Sequence, residues 1–407
     1  MSLGSQLMAA SSNAVETVRA EKLVAGGDAL AHLADGRVVF VRGALPGESV
    51  VVEVHTSKRD FARGEATAVL EPSASRVVAP CPRLSAGCGG CSWQHAEPTA
   101  QLQWKGEIVT EALQRIAKLP NPDVRAGGAV APWHYRTTLR LAVASDGTVG
   151  LRAWASHNTV AIDDCLVAHP ALVELLSELR VRGAEEISLR TSVATGEVTV
   201  FADSSGARLK GLPESVRVGA NASLHEDIAG TRLQVSAASF FQSGAQAAEL
   251  LVTHVRVACG ELLTSDGGPL LDAYGGVGLF SATLAVPLGM KAIVVESSDS
   301  ACHDAAVNLG EAADVVHSRL EDWIPRPVKL VIADPARAGL GREGVAVLAA
   351  TNAERIVLVS CDAASLARDA VLLATAGYQH RGSTVLDLFP HTPHVEVVTR
   401  FDRSSSP

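Results

Sequence analysis

The chain has 407 residues, 47% of them hydrophobic and 19% charged, with a formal net charge of −9. That length holds two or three domains, and that balance belongs to a core-forming chain, which excludes a disordered one. No apolar run approaches the roughly 18 residues of a membrane helix, and no basic stretch followed by an apolar one opens the sequence. A cytoplasmic protein without a membrane partner is therefore expected.

The negative charge is uneven. Residues 1–80 carry 8 Lys+Arg against 9 Asp+Glu, residues 81–240 carry 15 against 16, and residues 241–407 carry 12 against 19. Acidity gathers in the last third, so a nucleic-acid partner would have to be met by a local cationic surface.

Residues 1–14 are small and polar and read as a flexible tail. From 15 to 72, apolar runs at 38–41, 50–54 and 66–70 alternate with turns such as Leu45-Pro46-Gly47-Glu48. Short, evenly spaced strands predict a small antiparallel β-barrel. Its loop Lys58-Arg59-Asp60-Phe61-Ala62-Arg63-Gly64 mixes cations with one aromatic ring. Such a loop can hold a phosphate backbone and stack a base, or it can be a solvated hairpin tip.

A central domain is expected over 73–239. It begins with a stretch rich in Pro, Gly and Cys, followed by an amphipathic helix over 101–117 with Leu102, Ile108, Val109, Leu113 and Ile116 on one side. That helix is a candidate to pack on the catalytic domain. Residues 133–235 alternate apolar runs with turns such as Asp146-Gly147 and Thr195-Gly196, which predicts a mainly antiparallel α+β domain with one helix over 170–179. From 240 to 407 the texture changes. A helix over 246–259 precedes apolar runs at 270–272, 292–296, 330–334 and 356–359, separated by helical segments. This predicts an α/β fold with a doubly wound, Rossmann-like parallel sheet and ligands at the carboxyl ends of its strands.

Seven cysteines, an odd number, argue against a disulfide framework. Cys81, Cys88 and Cys91 crowd into eleven residues with Gly89 and Gly90 between the last two, and Cys165 can supply a fourth thiolate. Four thiolates suit zinc or an iron–sulfur cluster, and the 3+1 spacing is closer to cluster ligation. Cys259 and Cys302 fall within helices and read as core.

Asp272-Ala273-Tyr274-Gly275-Gly276-Val277-Gly278-Leu279-Phe280 follows a strand and opens a helix, and Glu296 ends the next strand. Glycines let a ligand approach the backbone, and a carboxylate there can accept from ribose hydroxyls. NAD and S-adenosylmethionine both fit. The turn lacks a strict GxGxxG, which favours the ligand without a pyrophosphate. Three further segments end strands: Asp334-Pro335-Ala336-Arg337, Ser360-Cys361-Asp362, and Phe389-Pro390-His391-Thr392-Pro393-His394-Val395-Glu396. Cys361 precedes a helix over 364–376, whose dipole favours a thiolate. Glu396 lies in an apolar strand, as an ion-paired or a functional carboxylate. His391 and His394 read as structural.

With Gln94-His95 and Phe240-Phe241-Gln242, these motifs together resemble the RNA uracil-C5 methyltransferases that use S-adenosylmethionine, in the subgroup with an N-terminal OB-like TRAM domain and a [4Fe-4S] cluster. The resemblance spans nearly the whole chain. It implies Cys361 as nucleophile and Glu396 as base. Gln242, Tyr274, Glu296 and Asp334, with Gly276 and Gly278 of the turn, fall at the S-adenosylmethionine site, and Cys81, Cys88, Cys91 and Cys165 at the cluster. Lys58, Arg59, Arg63, Phe240 and Arg337 are the candidate RNA contacts. The chain departs from the family pattern at Gly244, Gly275, Leu279, Ala336, Asp362 and Ala363. The implied partner is RNA, with rRNA favoured over tRNA and no DNA, for a protein expected to be a monomer. A NAD-dependent oxidoreductase and a cluster-bearing RNA-binding module without catalysis are the alternatives.

Overall fold

The computed structural model describes residues 14–266 and 268–404. The expected tail lies outside the described residues except for Ala14, which already belongs to a strand. The chain forms two compact units, one reaching to Ala79 and adding Ser92–Glu97, the other made of Pro80–Cys91 and the chain from Pro98 onward.

The first unit is a six-stranded sheet: β1 (Ala14–Arg19), β2 (Lys22–Leu23), β3 (Ala29–His32), β4 (Val38–Arg42), β5 (Ser49–Ser57) and β6 (Phe61–Glu71), in the order β1-β5-β6-β4-β3-β2. Alternate residues such as Val39, Val41, Val50 and Val52 are fully buried, as period-2 alternation requires. The β4–β6 pairing is parallel, which the hairpin pattern did not foretell. Glu48 is buried yet satisfied. It accepts from the Leu45 and Ser73 backbone N–H groups and pairs with Arg76 at 2.5 Å, which ties the segment after β6 to the sheet.

The second unit opens with α1 (Pro98–Arg115) and β7 (Val124–Ala129). The buried side of α1 is Gln101, Trp104, Lys105, Ile108, Val109 and Leu113. Ile108, Val109 and Leu113 lie on the buried side as expected, whereas Leu102 is half-buried and Ile116, past the helix end, is exposed. A six-stranded sheet follows, built from β8 (Thr138–Val143), β9 (Val149–Arg152), β10 (Thr159–Ala161), β12 (Glu186–Thr191), β13 (Val198–Ala202) and β15 (Arg217–Val218). The helix α2 (Pro170–Leu176) packs on it, while β11 (Arg180–Arg182) and β14 (Arg208–Lys210) pair as a separate ribbon. The hairpin β16 (Ser223–Ile228) and β17 (Thr231–Ser236) leads into α3 (Ala245–Cys259).

The catalytic sheet comprises β18 (Leu270–Ala273), β19 (Ala292–Glu296), β20 (Ala313–His317), β21 (Leu330–Ala333), β22 (Arg355–Ser360), β23 (Tyr378–Asp387) and β24 (Glu396–Arg403), crossed over by α4 (Asp299–Leu309), α5 (Gly341–Ala350) and α6 (Ala363–Thr375). Its order is β20-β19-β18-β21-β22-β24-β23-β7, parallel from β20 to β22 and antiparallel through β24. The α/β Rossmann-like expectation holds. One element comes as a correction to the division at 240. The edge strand β7 precedes the central sheet in sequence but pairs in parallel with β23. The helix α1 packs against α6, β7 and β23. The central sheet is thus inserted between two pieces of the catalytic sheet. No helix among the described residues is long and apolar enough to cross a membrane.

Candidate active site

Strand register assembles the reactive groups. In the antiparallel β22–β24 pair, Ser360 faces Val397 as the last step of the ladder, so Cys361, just past β22, comes to the same sheet end as Glu396, the first residue of β24. In the parallel β21–β22 pair, Ala333 faces Leu358, which brings Asp334 to the same end. Cys361, Glu396, Asp334 and Arg337 therefore meet at the carboxyl ends of neighbouring strands. The Cys361 thiol feels both carboxylates and the Arg337 guanidinium directly.

The electrostatics differ from the expectation of a dipole-stabilised thiolate. Burial pushes the Cys361 thiol up, Glu396 and Asp334 push it further, and only Arg337 opposes them. Cys361 precedes the N-cap Asp362, so it stands outside the first turn of α6, where the dipole acts most strongly. Glu396 is buried, and no arginine pairs with it among the described residues. Burial and Asp334 together hold its carboxyl well above the ordinary range, and burial lifts Asp334 to about 7. Burial and mutual repulsion thus disfavour the charged forms of the Cys361 thiol and of both carboxyls. Alkylation of Cys361 by iodoacetamide is expected to be slower at pH 8 than that of an exposed cysteine and to climb as pH rises past 9. Glu396→Gln should speed it and Arg337→Ala should slow it, as read by mass spectrometry of the labelled peptide. The opposite order would show that the thiol does not respond to these charges.

The glycine turn after β18 builds the neighbouring cradle. Tyr274, Gly276 and Gly278 all have positive φ, and a side chain added at Gly276 would project into open space. A Cβ at Gly278 would collide with Leu309 at 2.8 Å, so this glycine lets α4 lie against the turn. Glu296 accepts from the backbone N–H of Gly276 at 2.9 Å and from those of Ser297 and Ser298. Asp272 is buried and pushed up to about 7 chiefly by desolvation. One of its oxygens accepts from Ser281, and Oδ1 has no partner. The Tyr274 hydroxyl donates to Glu321 at 2.9 Å. An open glycine cradle, an orphaned buried acceptor and a carboxylate at the end of β19 fit a nucleoside-bearing ligand.

Phe240 and Gln242 occupy the loop before α3. Phe240 is 73% exposed, unlike its neighbour Phe241, and Gln242 is buried. Asp304 of α4 fixes this loop by accepting from the Ser236 N–H and from the Ser236 and Ser239 hydroxyls, while Arg190 of β12 donates to the Ser236 and Ser239 carbonyls. Several departures from the family pattern gain reasons. A Cβ at Gly244 would lie 2.3 Å from the Tyr135 carbonyl oxygen, and one at Gly275 would meet Val294 at 2.6 Å. Leu279 is buried in the apolar core. Asp362 caps α6 by accepting from the Ser365 N–H at 2.7 Å, which suits an N-cap position. Nothing in the structure explains the alanines at 336 and 363.

Sequence reasoning missed the brace behind the loop that carries Glu396. Lys105 of α1 pairs with Asp387 at 2.6 Å, both fully buried, and also donates to the Phe389 carbonyl. Gln101, one turn earlier, accepts from the His391 N–H at 2.6 Å. His391 has positive φ, stacks on Trp133 at 4.0 Å, and is held by burial near a pKa of about 4, as a neutral structural ring. The available signal was a lysine inside the apolar side of α1. Asp369 of α6 braces the opposite loop by accepting from the Leu340 and Gly341 N–H groups.

The four cysteines lie in one neighbourhood without forming the compact set that a single ion needs. Among the described residues no three His, Cys, Asp or Glu side chains are close enough together to hold one metal ion. Cys88 feels Cys81, and Cys165 feels Cys88. The Gly90 N–H points at the Cys88 sulfur, and the Val167 and Ala168 N–H groups point at that of Cys165. Among the candidate RNA contacts, Lys58 and Arg59 are exposed at the β5–β6 hairpin tip. Arg63 belongs to β6 instead. It pairs with Asp28 at 2.9 Å and lies over the Phe40 ring. Arg337 is exposed beside Cys361.

Residues 13–67 match the model of the TRAM domain family. Over the whole chain, an uncharacterized RNA methyltransferase of Streptomyces avermitilis is 37% identical, covering 92% of this chain and 94% of its own length. One from Thermotoga maritima is 30% identical, covering 94% and 98%. Among solved structures, the Pyrococcus abyssi tRNA (uracil-54, C5)-methyltransferase in complex with S-adenosyl-L-homocysteine superposes with a TM-score of 0.70 at 25% identity, covering 95% of this chain and 100% of its own.

Proposed function

Because the chain belongs to the RNA uracil-C5 methyltransferase family, and so to the S-adenosylmethionine-dependent RNA methyltransferases, we propose that it methylates C5 of a uridine in structured RNA through a covalent adduct. The observation that carries this reading is the meeting of Cys361 with Glu396, a thiol beside a buried carboxyl that has no ion-pair partner among the described residues.

The chemistry accounts for both groups. Uracil C5 is a poor nucleophile. Addition of the Cys361 sulfur at C6 makes C5 enolate-like, and Arg337 is the cation beside the sulfur that favours its deprotonation. S-adenosylmethionine supplies an electrophilic methyl group. Gln242, Tyr274, Gly276, Gly278, Glu296 and Asp334 are the residues that would hold it, Glu296 through ribose hydroxyls. After C5 is methylated, Glu396 takes the remaining C5 proton, the C5–C6 double bond re-forms, and the Cys361 sulfur leaves. The target base must first leave its stack, and the exposed Phe240 ring offers it a face. Lys58 and Arg59 are further backbone contacts in this reading.

Nucleoside mapping tests it. Purified protein and labelled S-adenosylmethionine are incubated with separated, unmodified rRNA and tRNA pools. Label in 5-methyluridine supports the reading, and label confined to another nucleoside removes it. The resemblance to the subgroup with a TRAM domain and a cluster favours rRNA, whereas the solved relative is named for a tRNA position. The pool that takes up label decides between them.

Cys81, Cys88, Cys91 and Cys165 are proposed to bind a [4Fe-4S] cluster, which spans more space than one ion. Thiolates accepting backbone N–H bonds suit such a group. Protein purified without oxygen should contain about four iron atoms per chain with acid-labile sulfide. Stoichiometric zinc without iron would remove the proposal.

A further inference from the structure

The pairing of β11 with β14 creates a surface that neither segment reveals in sequence. The register sets Arg180 opposite Lys210, Val181 opposite Leu209 and Arg182 opposite Arg208. Val181 and Leu209 turn into the apolar core of the central sheet, so period-2 alternation sends all four cations to the other face. All four are exposed, and none has a carboxylate within ion-pair distance among the described residues. Arg180 donates to the Ser177 and Leu179 carbonyls and feels Asp146 more distantly.

Like charges directly opposite each other destabilise a strand pair. This ribbon places two such pairs side by side in a chain of net charge −9. It is also held rigidly. The Val181 N–H donates to the Gly147 carbonyl, and Gly211 lets the chain after β14 pass against the Glu178 carbonyl, where a Cβ would lie 2.0 Å away. At its Arg180 end the ribbon borders a cavity of about 220 Å³ that Arg83, Asp163 and Ser177 also line, and there Arg83 is already paired with Asp163.

We propose that the β11–β14 ribbon is a docking surface for the phosphate backbone of the substrate RNA. The inference rests on the RNA-methylating reading above and adds the place where an acidic protein meets a polyanion. Two cations on one strand, two residues apart, are separated by about 6.6 Å, comparable with successive phosphates along a strand. Charge complementarity selects the partner, because four exposed cations without an ion pair among the described residues suit a polyanion.

The test compares Arg182→Ala/Arg208→Ala/Lys210→Ala with the parent on the RNA pool that the parent methylates, from low to high salt. Losing three phosphate contacts should flatten the slope of log K against log salt by about 2. At low salt, affinity for RNA and kcat/KM for RNA should fall together by roughly tenfold or more, while binding of S-adenosylhomocysteine stays unchanged. Arg182→Lys/Arg208→Lys keeps the charge and should keep the slope. A control removing Arg115, Arg326 and Lys329 should do the same. If the triple variant binds RNA as the parent does at every salt concentration, the ribbon is not the docking surface, and the methylation reading stands. If the parent methylates no uridine yet loses RNA affinity with the ribbon, the methylation reading falls and the docking surface stands.

Discussion

Glu396→Gln should trap the enzyme on its RNA. The substitution keeps the shape and removes the base, so release of Cys361 from the methylated uridine should slow by about 10²–10⁴-fold. Addition before methyl transfer is reversible and leaves nothing that survives denaturation. Once C5 carries the methyl group, the sulfur cannot leave until the C5 proton does. A denaturing gel should therefore show a protein–RNA species that requires S-adenosylmethionine and disappears in Cys361→Ala/Glu396→Gln. An adduct formed equally well without the methyl donor would place Glu396 at another step, and normal turnover would take it out of the mechanism.

Lys105→Met should cost about 3–5 kcal/mol of stability, because it leaves Asp387 buried without its partner. In the parent, burial pushes the Asp387 carboxyl up and the Lys105 ammonium down, and their mutual attraction opposes both shifts. Without Lys105 the Asp387 pKa in the folded state rises further above its unfolded value. A group shifted that way supports folding below its unfolded pKa and loses that support as pH rises through its folded pKa. The variant should thus be most stable in mild acid and weaken toward neutral pH, as measured by urea denaturation across pH. Lys105→Met/Asp387→Leu should recover much of the stability, since an apolar pair of similar volume can replace a buried ion pair. Methylation should not recover with it. The Lys105 bond to the Phe389 carbonyl and the Asp387 bond to the Phe389 N–H, which brace the loop leading to Glu396, are both gone. Full activity in the double variant would show that the brace serves stability alone.

Features that rest on local pattern could be read from the residues alone. Strand ends, the glycine turn and the cysteine cluster are contiguous motifs, and helices such as α3 and α6 follow from 3.6-residue periodicity and end within a residue or so of the expected limits. The candidate groups were legible for the same reason: Cys361 and Glu396 each stand out against their own neighbours, a thiol before a helix and a carboxylate in an apolar strand. Features that join residues far apart in the chain emerged with the fold. Antiparallel register set Cys361 against Glu396, and that proximity, with burial, raised the thiol instead of lowering it. Long-range pairing carried β7 across the central sheet to the edge beside β23, and brought Lys105 beneath Asp387. It also set two basic segments, unremarked when read singly, face to face as β11 and β14. Pairing energies of this kind come from contacts between segments that the local pattern leaves undetermined, so only the folded register reveals them.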